Sequence, residues 1–275
     1  MNQTPQIFNL YKGKCKVEFY ENPRHEYFLN GEKKIGATTY IAIIDKSAPL
    51  IHWATNLAGD YLSNLLEAGK PVKVEDVTKS VNLHREKKEK AADVGTVAMD
   101  WIEYYIKDKL GKEKKKPLPE DTGALIAIDA FLDWEKEYKI KFISTERVVY
   151  SLKHDYMGKL DIEARVNGKL CMIDIKTGNA LYAEVALQTA AYLKADEEES
   201  GKIYDGRWAV RLAKETEKEY KARMEKKGKK TDGYVPFEAK YLDDDPKALD
   251  RDFVAFRACM VIKKWQKVAE PNFRK

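Results

Sequence analysis

The spacing of apolar residues changes character along the chain. The first 40 residues read as extended, with aromatic-rich runs at Val17 to Tyr20 and Glu26 to Leu29. Asn30-Gly31 marks a tight turn between the second run and the next. From Ser47 the period becomes helical. Leu50, Trp53, Ala54, Leu57, Tyr61 and Leu65 form one apolar stripe that Gly69-Lys70-Pro71 ends. A second helical stretch covers about Val74 to Leu110, polar in its first half and amphipathic in its second. Lys107 to Lys116 then reads as a loop closed by Pro117 and Pro119.

Thr122 to Lys139 predicts another amphipathic helix. Short alternating runs follow: strands over Phe142 to Leu152, Met157 to Val166 and Lys169 to Thr177, a helix over Ala180 to Lys194, then strands over Arg207 to Leu212 and Val235 to Leu242. A lysine- and glutamate-rich stretch separates the last two. Pro246 to Val268 predicts a closing helix, with Pro246 in its first turn and Leu249, Phe253, Phe256 and Met260 facing inward. The fold class is therefore α/β: a central mixed sheet flanked by helices, preceded by an N-terminal helical region. The division expected is 1–138 for the N-terminal hairpin and helices packing on the core, and 139–275 for the core.

Asn167-Gly168 is the favoured pair for a two-residue hairpin turn, and such a turn fixes register. Val166 then faces Lys169, Ala164 faces Cys171, Ile162 faces Ile173 and Leu160 faces Ile175, which makes one apolar face. On the other face Arg165 meets Leu170, Glu163 meets Met172, Asp161 meets Asp174 and Lys159 meets Lys176. Two carboxylates directly opposite, ~5 Å apart at Cβ, destabilise a sheet unless something offsets them. A divalent cation is one answer, and oxygen ligands suit Mg²⁺ or Mn²⁺. Neutralisation by Lys159 and Lys176 on a salt-bridged surface is the other. Both stand at this point.

Composition narrows the setting. Hydrophobic residues are 44% and charged residues 35%, a soluble balance tilted towards charge, and the net charge of +5 says little about partners. Cys15, Cys171 and Cys259 are scattered and odd in number, which argues against a disulfide framework or a four-thiolate cluster. There is no apolar run of the ~20 residues a membrane span needs, and the first residues carry no signal-like apolar segment. The expected location is the cytoplasm. Lysine and arginine cluster at Arg85 to Lys90, Lys107 to Lys116 and Lys214 to Lys230. Each stretch also holds acidic residues, so each reads either as a solvated face or as a contact to DNA phosphates.

Asp161 followed by Asp174-Ile175-Lys176 resembles the motif of PD-(D/E)XK nucleases. Gly158 to Asp161 is similar to the G-x-x-D strand of the RecB-type exonuclease branch, and Gln188 to Tyr192 resembles its Q-x-x-x-Y helix. Gly95-Thr96 resembles its G-T-x-x-H segment, and Thr38 to Trp53 is similar to the N-terminal part of phage-type members. The resemblance covers about Thr38 to Leu193. It implies a restriction-endonuclease-like core and metal-dependent hydrolysis of DNA from its ends. It implies Mg²⁺ or Mn²⁺ on Asp161, Asp174 and the Ile175 carbonyl, with Lys176 orienting water. It also implies Gln188 and Tyr192 beside the site and Glu146 as a first-strand carboxylate.

A place in phage or mobile-element recombination, repair or replication follows from the same resemblance, with single-strand annealing or replication proteins as partners. The branch's histidine ligand falls at Met99, whose thioether suits neither metal; Glu103, one turn on, is the substitute carboxylate the spacing offers. A structure-specific endonuclease and a catalytically weakened DNA-binding module are the alternatives.

Overall fold

The computed structural model of the protein describes residues 4–21 and 25–273, the last three by backbone alone. Strands β1 (Gln6–Leu10), β2 (Cys15–Tyr20), β3 (Glu26–Leu29) and β4 (Glu32–Lys34) make an antiparallel sheet in chain order. Asn30 and Gly31, both at positive φ (49° and 84°), join β3 to β4 as the dipeptide predicts. Helices α1 (Ala37–Ile41), α2 (Ser47–Glu67) and α3 (Val74–Lys109) follow.

The second sheet holds β5 (Lys141–Ser151), β6 (Tyr156–Val166), β7 (Lys169–Lys176), β8 (Gly206–Leu212) and β9 (Phe237–Tyr241), again in that order. Only β7 and β8 run parallel, and α5 (Glu184–Ser200) makes the crossover between them. The other pairs are antiparallel. Helix α4 (Thr122–Glu137) precedes this sheet, α6 (Glu217–Lys226) lies between β8 and β9, and α7 (Ala248–Phe273) closes the chain. Asp121 caps α4 by accepting the Ala124 amide at 2.8 Å.

Each face of this sheet is sealed by helices. On one face Ile102 and Ile106 of α3 and Phe131 and Trp134 of α4 pack over Ile162, Ala164, Cys171, Ile173 and Val210. On the other, Tyr40 of α1, Ala191 and Leu193 of α5 and Phe256 and Met260 of α7 cover Leu160 and Met172. Each large apolar side chain taken out of water contributes ~1.5–3 kcal/mol before entropy is charged. The four-stranded sheet lays Val17, Phe19 and Tyr27 against Val148, Tyr150 and Met157. Among the described residues, no helix is long and apolar enough to cross a membrane.

The apolar stripe of α2 stays outside the core: no residue of α2 is buried, and Leu50 and Trp53 stay exposed. Three details depart from the sequence expectation. The helix predicted from Ala180 starts at Glu184, and Pro246 lies just ahead of α7 rather than in its first turn. The charged stretch before β9 contains α6, whose Thr216 and Glu219 form a reciprocal capping box.

Candidate active site

The hairpin of β6 and β7 turns at Asn167 and Gly168, both at positive φ, and the ladder runs in the expected register from Val166↔Lys169 to Ile162↔Ile173. There it stops. Asp161 and Asp174 are not a ladder pair, nor are Leu160 and Ile175. Asp161 turns Oδ2 onto the Ile175 amide at 2.8 Å, taking an N–H that a continuing ladder would have claimed. Its own carbonyl accepts the Thr145 hydroxyl at 2.8 Å.

The cause is visible in β5. Glu146 has φ +54°, a left-handed backbone inside a strand. Thr145 pairs with Ile162 and Arg147 with Leu160, while Glu146 and Asp161, at the level between, drop out. Side-chain alternation breaks there. Leu160, expected beside Ile162, is buried on the opposite face with Tyr156 and Met172.

Asp174 is almost wholly buried. Among the described residues, neither of its oxygens accepts a well-aligned hydrogen bond; the Lys176 ammonium lies beside Oδ2 at 2.7 Å. Burial pushes the Asp174 carboxyl up to about 7, with Lys176 pulling down and Asp161 adding to the rise. Burial alone would lower Lys176, but Asp174 and Asp161 outweigh it and hold the ammonium above its ordinary value.

Lys176 Nζ also donates to Gln188 Oε1 at 3.4 Å, and Gln188 Nε2 donates to the Tyr192 hydroxyl at 3.2 Å. Gln188 and Tyr192 sit one turn apart on α5, so one helix face reaches the lysine. Tyr192 fits because residue 158 is glycine. A Cβ there would lie 2.3 Å from Tyr192 Cε1. Gly95 plays a similar part for α3, since a Cβ would meet Thr177 Oγ1 at 2.5 Å just past the lysine strand.

Glu146 is neither simple surface nor core. It pairs with Lys159, which also holds Glu21 of the N-terminal region at 3.1 Å. Burial raises the Glu146 carboxyl to about 7; Lys159 opposes the rise and Asp161 adds to it. The Lys159 link to Glu21 escaped the sequence reading, because nothing local announces a contact between residues so far apart.

Met99 is half-buried among the apolar residues of α3 and α4. Glu103 is committed to Lys107 at 2.8 Å. Among the described residues, no three of His, Cys, Asp and Glu are gathered to share one metal. What the site offers is a pair of carboxylates: buried Asp174, with Oδ2 beside Lys176 and Oδ1 without a hydrogen-bond partner among the described residues, and Asp161 with one oxygen committed to the chain. Such hard oxygens fit Mg²⁺ or Mn²⁺, which are commonly held by one or two carboxylates with phosphate and water completing the shell.

A groove of about 710 Å³ opens beside Lys176 and Gln188. Thr38, residues 41–47 and Leu50 line it from one segment, and Ala180, Tyr182 and Glu184 from another. Of the cation stretches, Lys107, Lys109 and Lys116 are paired with Glu103, Glu135 and Asp100. Lys221 and Arg223 are paired with Glu217 and Glu215. The other cations of the three stretches, Arg85, Lys87, Lys88 and Lys90 among them, make no ion pair among the described residues.

No family model matches the chain, and no curated protein sequence matches it. Among solved structures, it is similar to the crystal structure of LHK-Exo in complex with dAMP, at 14% identity and a TM-score of 0.25, covering 66% of this chain and 92% of that one. At that TM-score the likeness assigns no function.

Proposed function

We propose that the protein is a metal-dependent DNA nuclease that hydrolyses phosphodiester bonds from DNA ends. The observation that carries this is Asp174: a buried carboxylate with one lysine beside Oδ2, no hydrogen-bond partner on Oδ1 among the described residues, and a second carboxylate on the neighbouring strand. A buried charge left so is costly unless something else arrives to share it.

Asp161, Asp174 and the Ile175 carbonyl would hold Mg²⁺ or Mn²⁺. A cation there supplies neutralisation of phosphate charge and a bound water of lowered pKa. Lys176 is fixed between Asp174 and Gln188, so its ammonium is oriented without the cost of ordering it during reaction. Tyr192 steadies Gln188 in turn. Glu146 and Lys159 flank Asp161 and tune its surroundings. The groove from Thr38 to Gln188 gives a nucleotide end a place to lie against Lys176.

The test is Mn²⁺-dependent digestion of end-labelled linear DNA beside a closed circular substrate. Degradation of the linear form alone supports an exonuclease; cleavage of both supports an endonuclease on the same site. Asp174→Ala should abolish either, and wild-type-like digestion by that variant would overturn the assignment.

One observation favours a second reading. Met99 packs into the apolar cluster where the resembling branch carries a ligand, leaving two carboxylates. DNA binding without any Mn²⁺-dependent cleavage would favour a binding module.

A further inference from the structure

Helix α7 is amphipathic on both sides. Its inner face is spent on the fold, with Phe256, Cys259 and Met260 buried and Leu249 and Phe253 packed beside them. The outer face carries a second apolar line. Val254, Ala258, Val261 and Trp265 follow one another at spacings of four, three and four, and all are exposed. Val261 and Trp265 are 67% and 63% exposed. The spacing continues in the sequence to Val268. Ile262 widens the line on one edge.

Alternating four and three is the heptad seam of a coiled coil, narrower than the broad stripe that docks a helix on a globular core. Arg257 and Lys264 run along the other edge of the seam. From Phe253 to Ala269 there is no acidic residue, while Arg257, Lys263, Lys264 and Lys267 are all cationic. None of the four makes an ion pair among the described residues; Lys264 leans over the Tyr40 ring at 6.0 Å.

We propose that the outer face of α7 docks an amphipathic helix of another protein, one with an apolar heptad seam and acidic flanks. The charge decides against a second copy of this chain, which would bring its own Arg257 and Lys264 to the edge of the same seam, and like charges across a coiled coil oppose pairing. The width decides against a lipid surface. A helix lying in a membrane interface buries a broad apolar face, and here the other half of that face is already inside the protein. This inference does not depend on the nuclease reading.

The test uses the full chain and a synthetic helical peptide with leucine at both seam positions and glutamate at both flanks. A second peptide replaces every flanking glutamate with lysine. Fluorescence anisotropy of the labelled peptides reads binding. The glutamate peptide should bind at least about tenfold more tightly than the lysine peptide, and that preference should shrink as salt rises, because salt screens the flanks.

Val261→Asp should weaken binding by about tenfold or more, while thermal unfolding stays as in the wild type. The double change Arg257→Glu with Lys264→Glu should reverse the preference towards the lysine peptide, a result that a folding defect does not produce. Failure of the wild type to prefer the glutamate peptide overturns the proposal. So does sedimentation as a dimer that Val261→Asp dissociates, or binding of anionic phosphatidylserine vesicles in place of the peptide.

Discussion

Asp161 accepts the Ile175 amide at 2.8 Å, so the carboxylate on one strand replaces a ladder bond of the other. One oxygen of Asp161 thus holds the backbone that carries Asp174 and Lys176, and the chemistry is left to the rest of the group. The two roles separate by substitution. Asp161→Asn keeps an acceptor for the amide and should unfold in urea close to the wild-type midpoint. Asp161→Ala leaves the amide unpaired and should lose about 1–3 kcal/mol. Both should lose Mn²⁺-dependent digestion. Equal stability of the two variants would show that the hydrogen bond contributes little.

The raised carboxyls give the protein without metal a definite pH response. Asp174 and Glu146 both titrate near 7 when folded, against about 4 for ordinary carboxylic acids. A folded value above the unfolded one contributes stability that is complete below about pH 4 and is lost as pH rises through about 7. In EDTA these two groups should therefore lower the melting temperature between pH 5 and pH 8. A bound cation demands the ionised carboxylate, so Mn²⁺ should raise the melting temperature more at pH 8 than at pH 5.5. Scanning calorimetry at both values, with and without Mn²⁺, checks this. A melting temperature indifferent to Mn²⁺ at pH 8 rules out the metal site.

Gly158→Ala tests the shape of the site. Its Cβ would meet Tyr192 Cε1 at 2.3 Å and Val149 Cγ2 at 3.3 Å, and Tyr192 is packed into the core. The ring must shift, at a cost of about 1–3 kcal/mol, and Gln188 loses its partner. Tyr192→Phe removes only the hydroxyl and should cost about 1 kcal/mol of support. The expected kinetic pattern is a larger fall in kcat for Gly158→Ala than for Tyr192→Phe, measured under single-turnover conditions.

Most of the fold and the content of the candidate site were legible because they rest on local rules. Asn167-Gly168 fixed the hairpin, alternation found the strands, and helical spacing brought Gln188 and Tyr192 to one face. The failures have physical causes as well. Leu160 was assigned to the wrong face because a left-handed Glu146, on another strand, breaks the alternation at Asp161. That the α2 stripe stays outside the core was not legible, because periodicity reports an apolar line but not whether anything covers it. Helix α6 was hidden in a charged run, although Thr216 and Glu219 at capping-box spacing were a usable signal. The ion pair of Lys159 with Glu21 spans two sheets, and such contacts are set by the packed fold rather than by spacing.

Arg207 shows how the crossover helix is anchored. Its side chain is fully buried, with the guanidinium donating to Asp243, to Asp252 of α7 at 2.8 Å, and to the Ala186 carbonyl of α5 at 2.8 Å. It ties β8, α7 and the helix bearing Gln188 into one unit. Arg207→Met fills much of the volume but leaves two carboxylates at the edge of the core without their cation, and removing one partner of a buried charge cluster costs about 3–5 kcal/mol. Arg207→Lys should recover little, since an ammonium does not reproduce the planar fork. Urea unfolding reads the stability. Digestion rates, divided by the folded fraction from circular dichroism, read the site. If Arg207 only anchors, the corrected rate of Arg207→Met stays close to wild type. A fall beyond the folded fraction means that the same guanidinium also sets the position of Gln188 against Lys176.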